Sequence, residues 1–271
     1  MNSHHHFHEF PCFIHCSNIW HVLKAFFIHL FHKNKRICKR PGGNSVVSII
    51  TSTNRPCFLQ NIIRNFENQD IEEKELVLVL HGFTDNASDG VVDNPLIKLL
   101  YSPKEESLGT CLNEAIRHAK YNIIAKFDDD DYYGPRYLSE ALKTMEEKDA
   151  DIIGKQSLFI YFMEDQLLSL LFPGKENKFI QSQSDTLAGS TLIFKKTVAE
   201  RVKFQPVSLG EDTAFLDNCK KLGIRMYAST PNHYVYIRYP HPHHTSDSDN
   251  RRLKNHCFPL IQTNCFHDYV D

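Results

Sequence analysis

The sequence predicts an α/β fold, with one domain on a mainly parallel central sheet flanked by helices and a short leader before it. Three observations carry this. Short β-branched apolar runs alternate with stretches whose apolar residues recur at i, i+3, i+4 and i+7. The order strand, helix, strand, helix, strand favours parallel pairing through crossover helices. A breaker cluster, Pro41-Gly42-Gly43-Asn44-Ser45, separates residues 1–45 from a body (46–271) whose length suits one α/β domain.

The elements follow in order. Val46–Thr51 is short and β-branched, so it reads as a buried strand. Ser52-Thr53-Asn54-Arg55 is a loop, and Pro56 suits a first helical position. Leu59, Ile62, Ile63 and Phe66 then form one apolar helical face. Glu75–Leu80 is a second buried strand, followed by the loop His81–Asp85. Leu112, Ala115, Ile116 and Ala119 make a second helical stripe, and Tyr121–Phe127 a third strand. After Asp128–Asp131, Pro135 opens a helix with Leu138, Ala141, Leu142 and Met145 on one face. The second half is less regular. Asp151–Phe162, Thr186–Phe194, Ile224–Ala228 and His233–Tyr239 read as strands. Gly210-Glu211-Asp212 starts a helix that buries Ala214, Phe215, Cys219 and Leu222. From Pro240 the chain is rich in His, Pro and Asp and reads as loop. Right-handed crossovers put the carboxyl ends of the first three strands on one sheet edge, where ligands of such folds bind.

Composition excludes several classes. The chain has 41% hydrophobic and 24% charged residues, so it is not a disordered tail. Its net charge of −2 gives no global reason to bind nucleic acid. That sum hides a split. Residues 1–45 hold six Lys and Arg against Glu9, giving +5, so the remainder carries −7. Eight cysteines are scattered without a C-x-x-C pair, which suits a reducing, cytoplasmic compartment rather than a disulfide scaffold. In the leader, polar residues interrupt the apolar stretch Phe10–Phe31, and its basic residues follow rather than precede it. Neither a signal peptide nor a spanning helix has that pattern. Two readings stay open: a packed or poorly ordered leader, or an amphipathic helix lying peripherally on the inner membrane face. The histidines at 4, 5, 6 and 8 have no ligand set at metal spacing.

Four adjacent carboxylates, Asp128–Asp131, repel one another, and a divalent cation relieves that repulsion. Carboxylate oxygens suit Mg2+ or Mn2+. A bare acidic run is usually a solvated loop. This one closes a hydrophobic strand on the expected ligand edge, before an aromatic pair and a helix-opening proline.

FDDDDYYGP resembles the D-x-D-D-x-x-x-P segment of family 2 glycosyltransferases, inverting enzymes of bacterial type with the GT-A (Rossmann-like) fold. SVVSIITSTNRPCFLQNIIRNFENQ is similar to that family's first strand, nucleotide loop and first helix. LNEAIRHAKYNIIAKF and LGEDTAFL are similar to two further segments, so the resemblance runs from about Val46 to about Tyr239. It implies a nucleotide-half at 46–135, an acceptor half at 136–239 and a tail at 240–271. It also implies roles. Thr51, Asn54 and Arg55 fall in the nucleotide loop, Asp128 or Asp129 faces the ribose or sugar, and Asp130 binds the Mn2+ or Mg2+. Asp131 orients the loop. Asp212 is the base, and Glu211 supports it or contacts the acceptor. His244 is the expected further metal ligand from the tail, although a solvated His/Pro loop has the same composition. Gly189-Ser190-Thr191 falls in the acceptor segment, or else is a glycine at a strand bulge.

One departure concerns the donor. The family commonly has an acidic pair at the end of the second strand, where a carboxylate contacts the base. Here the residues are Leu80-His81-Gly82-Phe83, so either His81 replaces that contact or it is a loop histidine. The expected activity is inverting transfer from a nucleotide sugar, a UDP-sugar by resemblance, to a glycan, lipid-linked or small-molecule hydroxyl, as in polysaccharide biosynthesis. Two alternatives remain: a nucleotide- or carbohydrate-binding module with a degenerate site, and a metal-dependent nucleotidyltransferase. The second wants a Gly-rich phosphate loop that STNRP lacks.

Overall fold

The computed structural model describes residues 46–83, 94–182, 184–240 and 250–271. The leader, most of the loop after His81 and the histidines at 241, 243 and 244 lie outside the described residues. In chain order the elements are β1 (Val46–Thr53), a 3-10 turn (Pro56–Phe58), α1 (Leu59–Glu67), β2 (Glu73–His81), β3 (Ile97–Ser102) and α2 (Leu108–His118). There follow β4 (Ile123–Lys126), β5 (Tyr132–Tyr133), α3 (Tyr137–Lys148), β6 (Ile152–Gly154), β7 (Leu158–Phe162), β8 (Leu167–Leu171) and β9 (Lys178–Phe179). The chain continues with a 3-10 turn (Gly189–Thr191), β10 (Ile193–Lys195), α4 (Lys196–Arg201), α5 (Glu211–Lys221), β11 (Met226–Ala228) and β12 (Tyr234–Arg238). It closes with α6 (Asn250–Lys254), β13 (Cys257–Gln262) and α7 (His267–Val270).

An eight-stranded sheet runs in the order β3-β2-β1-β4-β10-β6-β11-β9. Its first four strands are all parallel, as the alternating pattern predicts. Strand β10 enters antiparallel to both β4 and β6, so the second half is mixed. The apolar stripes sort by face. Leu59, Ile62 and Phe66 of α1 and Leu138, Ala141 and Met145 of α3 pack on one face with Val47, Ile49, Leu76 and Leu78. Leu112, Ala115 and Ile116 of α2 and Phe215, Leu216 and Cys219 of α5 pack on the other with Ile50, Val77 and Ile124. A strand alternates its side chains between faces, so neighbours such as Ile49 and Ile50 serve different cores.

Several expectations need correction. Strand β1 runs on to Thr53, because Ser52 and Thr53 still pair with Val79 and Leu80 of β2. Asp151–Phe162 is not one strand. It breaks after Gly154, and β7 joins a second, five-stranded sheet, β13-β8-β7-β12-β5. Of Thr186–Phe194 only the end is strand; Gly189–Thr191 is a 3-10 turn. The segment after Pro240 holds α6, β13 and α7 as well as loop. Among the described residues Cys57, Cys111, Cys219, Cys257 and Cys265 are free thiols. Among the described residues no helix is long and apolar enough to cross a membrane.

Candidate active site

The loop after β4 is held from below by α1. Asn61, Asn65 and Gln69 recur every four residues and so share one face of that helix and its end. Asn61 Nδ2 donates to the Asp129 and Asp131 carbonyls at 2.8 and 3.0 Å, and Asn65 Nδ2 to the Asp131 carbonyl at 2.8 Å. Asn65 Oδ1 accepts from the Tyr133 N–H, and Gln69 bonds the carbonyls of Tyr133 and Gly134. These amides satisfy the backbone of an acidic loop that has no sheet partner there. The stripe of apolar residues pointed to α1, but the role of its amide rail went unread.

Each aspartate has a distinct setting. Asp131 is 1% exposed. It accepts the Tyr234 hydroxyl at 2.6 Å and the Ile237 N–H at 3.1 Å, and burial holds its carboxyl well above the usual range. It therefore ties the loop to the second sheet, in keeping with an orienting role. Asp129 accepts the Thr53 hydroxyl at 2.5 Å and forms a forked ion pair with Arg55. Arg55 also reaches Asp130 at 2.8 Å, while its guanidinium lies 4.4 Å from the centre of the Phe58 ring. Asp128 pairs with the buried Lys126.

The sequence-predicted nucleotide loop is only partly as expected. Thr51 is completely buried inside β1, and its hydroxyl has no hydrogen-bond partner among the described residues. Thr53, two residues further along the longer strand, takes its place at the loop and meets Asp129. Asn54 is exposed at the bend, and Arg55 is the counter-ion of two aspartates. His81 ends β2 and its Nε2 lies 3.2 Å from the Lys104 carbonyl. His244 lies outside the described residues.

The second acidic element arrives from the opposite face. Gly210 adopts φ 81° and starts α5, so Glu211 and Asp212 occupy its first turn. Glu211 is 5% exposed; burial raises its carboxyl pKa, against the pull of Lys126. Asp212 Oδ1 accepts the Thr213 N–H at 2.6 Å. Its carboxylate rests directly on Gly189: a Cβ there would lie 1.6 Å from Asp212 Oδ2. Gly189 thus gives room to Asp212, which is more specific than a strand bulge. The turn bearing Gly189 is pinned by tyrosine hydroxyls. Tyr133 donates to the Ser190 carbonyl at 2.7 Å, Tyr137 to the Thr191 carbonyl at 2.9 Å, and Tyr234 lies 2.6 Å from Ser190 Oγ. Tyr133 also accepts the Asp128 N–H at 2.8 Å, so one hydroxyl touches both the aspartate loop and this turn.

The donor set fits a hard divalent cation. Six carboxyls, Asp128–Asp131, Glu211 and Asp212, share this region with the two cations paired to them, Arg55 and Lys126. Asp130 shows the imbalance: burial, then Asp129, pushes its pKa up to about 6 despite Arg55. A cation there would replace the proton. Among the described residues no three His, Cys, Asp or Glu side chains stand together where they could hold a metal ion by themselves.

The fold is a mixed sheet with an acidic loop after β4, one of its parallel strands. The model of glycosyl transferase family 2 matches residues 48–201, more than half of the chain, and the chain belongs to that family. The Glu211-Asp212 pair lies beyond the matched span. Solved structures agree on the GT-A-like fold. TarS 1-349 of S. aureus is 18% identical with a TM-score of 0.52, over 71% of this chain and 60% of that one. The mannosyltransferase PcManGT from Pyrobaculum calidifontis, in complex with GDP-Man and Mn2+, is 18% identical with a TM-score of 0.53, over 78% and 62%. TarS 1-349 in complex with UDP-GlcNAc gives 18% and 0.53, over 75% and 62%. The chain thus spans about three fifths of the length of these structures. No curated protein matches.

Proposed function

We propose that residues 46–271 form a glycosyltransferase domain that moves a sugar from a nucleotide-sugar donor to an acceptor hydroxyl with inversion. One observation carries this reading: the Asp128–Asp131 loop and the Glu211-Asp212 helix start meet across the Gly189–Thr191 turn. Each element alone is an acidic cap or loop. Together they supply the two things a transfer needs, a place for a diphosphate and a base for the attacking hydroxyl.

Asp130 would hold Mn2+ or Mg2+ against the diphosphate, and such an ion, when bound, offsets the charge that develops on the leaving nucleotide. Asp128 and Asp129, fixed by Lys126 and Arg55, stand beside it on the donor side. The acceptor oxygen attacks the anomeric carbon, its proton passes to the Asp212 carboxylate, and the bond to the diphosphate oxygen breaks. A single base and direct attack invert the anomeric centre, giving a β-linked product from an α-linked donor. Asp212 suits the role because it stands in the first turn of α5 with its carboxylate seated on Gly189. Family membership and neighbours solved with UDP-GlcNAc and with GDP-Man support a nucleotide-sugar donor and leave both bases as candidates.

The test is release of free nucleotide from a panel of UDP- and GDP-sugars, with Mn2+ or with chelator. Turnover of one donor, lost on chelation, is expected. The proposal fails if no donor is turned over and calorimetry finds no Mn2+-dependent nucleotide binding. Binding without turnover would favour the degenerate binding module, the reading kept open by Leu80-His81.

A further inference from the structure

His233 is 2% exposed, yet both of its ring nitrogens face carboxylates. Nε2 lies 3.2 Å from Glu140 Oε1 on α3, and Nδ1 lies 3.4 Å from Asp271 Oδ1, just past α7. A neutral imidazole donates from one nitrogen only, so two carboxylate acceptors call for the doubly protonated ring. Both carboxyls are held below their usual range. At Glu140 the His233 hydrogen bond leads, and at Asp271 burial is outweighed by hydrogen bonds from His233 and Tyr132. Neither carboxyl therefore supplies the proton.

The backbone shares in this grip. His233 takes φ 62°, a left-handed conformation uncommon outside glycine. Its N–H donates to the Val270 carbonyl at 2.7 Å, and its carbonyl accepts the Gly134 N–H at 2.9 Å. The Asp271 carboxylate is seated on Gly134: a Cβ there would collide with Oδ1 and lie 3.2 Å from the His233 Cα. The other Asp271 oxygen accepts the Tyr132 hydroxyl. Tyr132 and Gly134 come just after Asp131, so distant segments meet where the aspartate loop ends. Helix α7 is about one turn long and cannot hold itself. It depends on this grip and on Phe266 and Val270, which pack with Tyr161, Val235 and Ile237.

Other charged groups face the ring from each side. Arg136, before α3, lies 3.8 Å from Glu140 and opposes the imidazolium. The buried Lys155 donates to the Thr230 and Asn232 carbonyls at 2.6 and 2.9 Å, and burial pulls its pKa down to about 7. His267 of α7 is held below its ordinary value by burial, against the pull of Asp271 and Asp268. Burial disfavours the His233 cation too, yet Asp271 and Glu140 outweigh it and hold the ring above its ordinary value of about 6.5.

We propose that Glu140, His233 and Asp271 form a pH-sensitive clasp: the doubly protonated ring fastens α7 to α3 and to the chain just after the aspartate loop, and loss of its proton loosens α7. The ring's contribution is whole below about pH 6.5 and is lost as pH rises through its folded value. The carboxylates' contribution is lost only in acid, as pH falls through their depressed values. The clasp is independent of the transfer reaction, and its test needs no donor.

The full chain, 15N-labelled, is titrated by NMR from about pH 5 to about pH 9, with the His233 ring signals assigned through His233→Gln. Should that variant not fold, the ring is assigned by through-bond correlation to its own amide. Hydrogen exchange of the Tyr269 and Asp271 amides, which bond the Phe266 and His267 carbonyls, is followed over the same range and corrected for intrinsic rates. Both ring nitrogens should carry protons at about pH 6, with a midpoint above about 6.5. Amide protection should fall several-fold across that midpoint. Asp271→Asn and Glu140→Gln should each lower the midpoint, and Asp271→Asn should remove the step in protection. A midpoint at or below about 6.5, or one unmoved in both variants, overturns the clasp. So does a protection step that is missing in wild type, kept in Asp271→Asn, or set at a pH other than the His233 midpoint, which would assign it to another group such as Lys155.

Discussion

Gly189→Ala is the most direct test of how the base is seated. The added methyl would lie 1.6 Å from Asp212 Oδ2, 2.4 Å from its Cγ and 2.6 Å from its Cβ. Ordinary contact needs about 3.5 Å or more, so the carboxylate must retreat by roughly 1–2 Å. Gly189 is not among the glycines with positive φ, so alanine adds no backbone strain and the effect is steric. Relief comes most cheaply by moving Asp212, because the Ser190 and Thr191 carbonyls beside Gly189 are pinned by Tyr133 and Tyr137. A misplacement of about 1 Å in a reacting group is worth about 100-fold in rate. Overpacking of this kind costs about 1–3 kcal/mol of stability, which a folded domain survives. The assay is steady-state nucleotide release with saturating acceptor, alongside calorimetric donor affinity in Mn2+. The expected result is a kcat lowered about 100-fold with donor Kd changed less than about threefold. A variant with wild-type kcat would refute the seat of Asp212 on Gly189, and a kcat loss matched by lost donor binding would show a collapsed site instead.

Asp212→Asn should bind donor and Mn2+ normally while transfer falls by about 100-fold or more, read by single-turnover kinetics. Asp130→Ala should lose Mn2+-dependent nucleotide binding in calorimetry. The Mn2+-induced rise in Tm should depend on pH in a defined direction. Asp130 has a folded pKa raised to about 6, so the protonated carboxyl favours the fold below about pH 4 and that contribution is lost as pH rises through 6. Mn2+ replaces the proton, so its stabilisation should be small at pH 5 and grow through pH 6 to 7.5; a flat response would remove Asp130 as the ligand. Tyr234→Phe should lose about 1–3 kcal/mol in chemical denaturation, since the buried Asp131 loses a hydroxyl donor.

Much of the first half was legible because its helices bury one stripe each and its strands are continuous apolar runs. The rest failed for identifiable reasons. Asp151–Phe162 is apolar on both sides of Lys155-Gln156-Ser157, and hydrophobic pattern cannot tell that the chain changes sheets there. Strand β13 contains Pro259, which argues against a central strand, and the structure indeed puts it on an edge beside a register shift. Asp128–Asp131 and Glu211-Asp212 were visible as motifs, but their meeting depends on Gly189 and on tyrosines that reach its turn from distant segments, Tyr133 and Tyr137 from one and Tyr234 from another. Lys126 looked like an interruption in a buried strand. A single charge in such a run, two residues before a carboxylate, is a signal in its own right, because it must have a buried partner.

The charge pattern of this region also bears on why the two acidic elements are mutually dependent. Arg55 serves Asp129 and Asp130, and Lys126 serves Asp128. Among the described residues no cation is paired with Asp131, whose carboxyl is instead satisfied by Tyr234 and the Ile237 N–H. The same Tyr234 hydroxyl lies against Ser190, beside Gly189 and the base. A cation drawn to Asp130 would compete with Arg55 for that carboxylate and leave the guanidinium to Asp129. Asp131 and Tyr234 connect the same loop to the turn under Asp212. If Asp130 holds the metal and Asp212 is the base, as proposed, the two roles are linked through Asp131, Tyr234 and the Gly189–Thr191 turn. A donor that binds without a metal should leave Asp212 unshifted, and one that binds with it should perturb the Asp212 carboxyl signal even in the absence of acceptor.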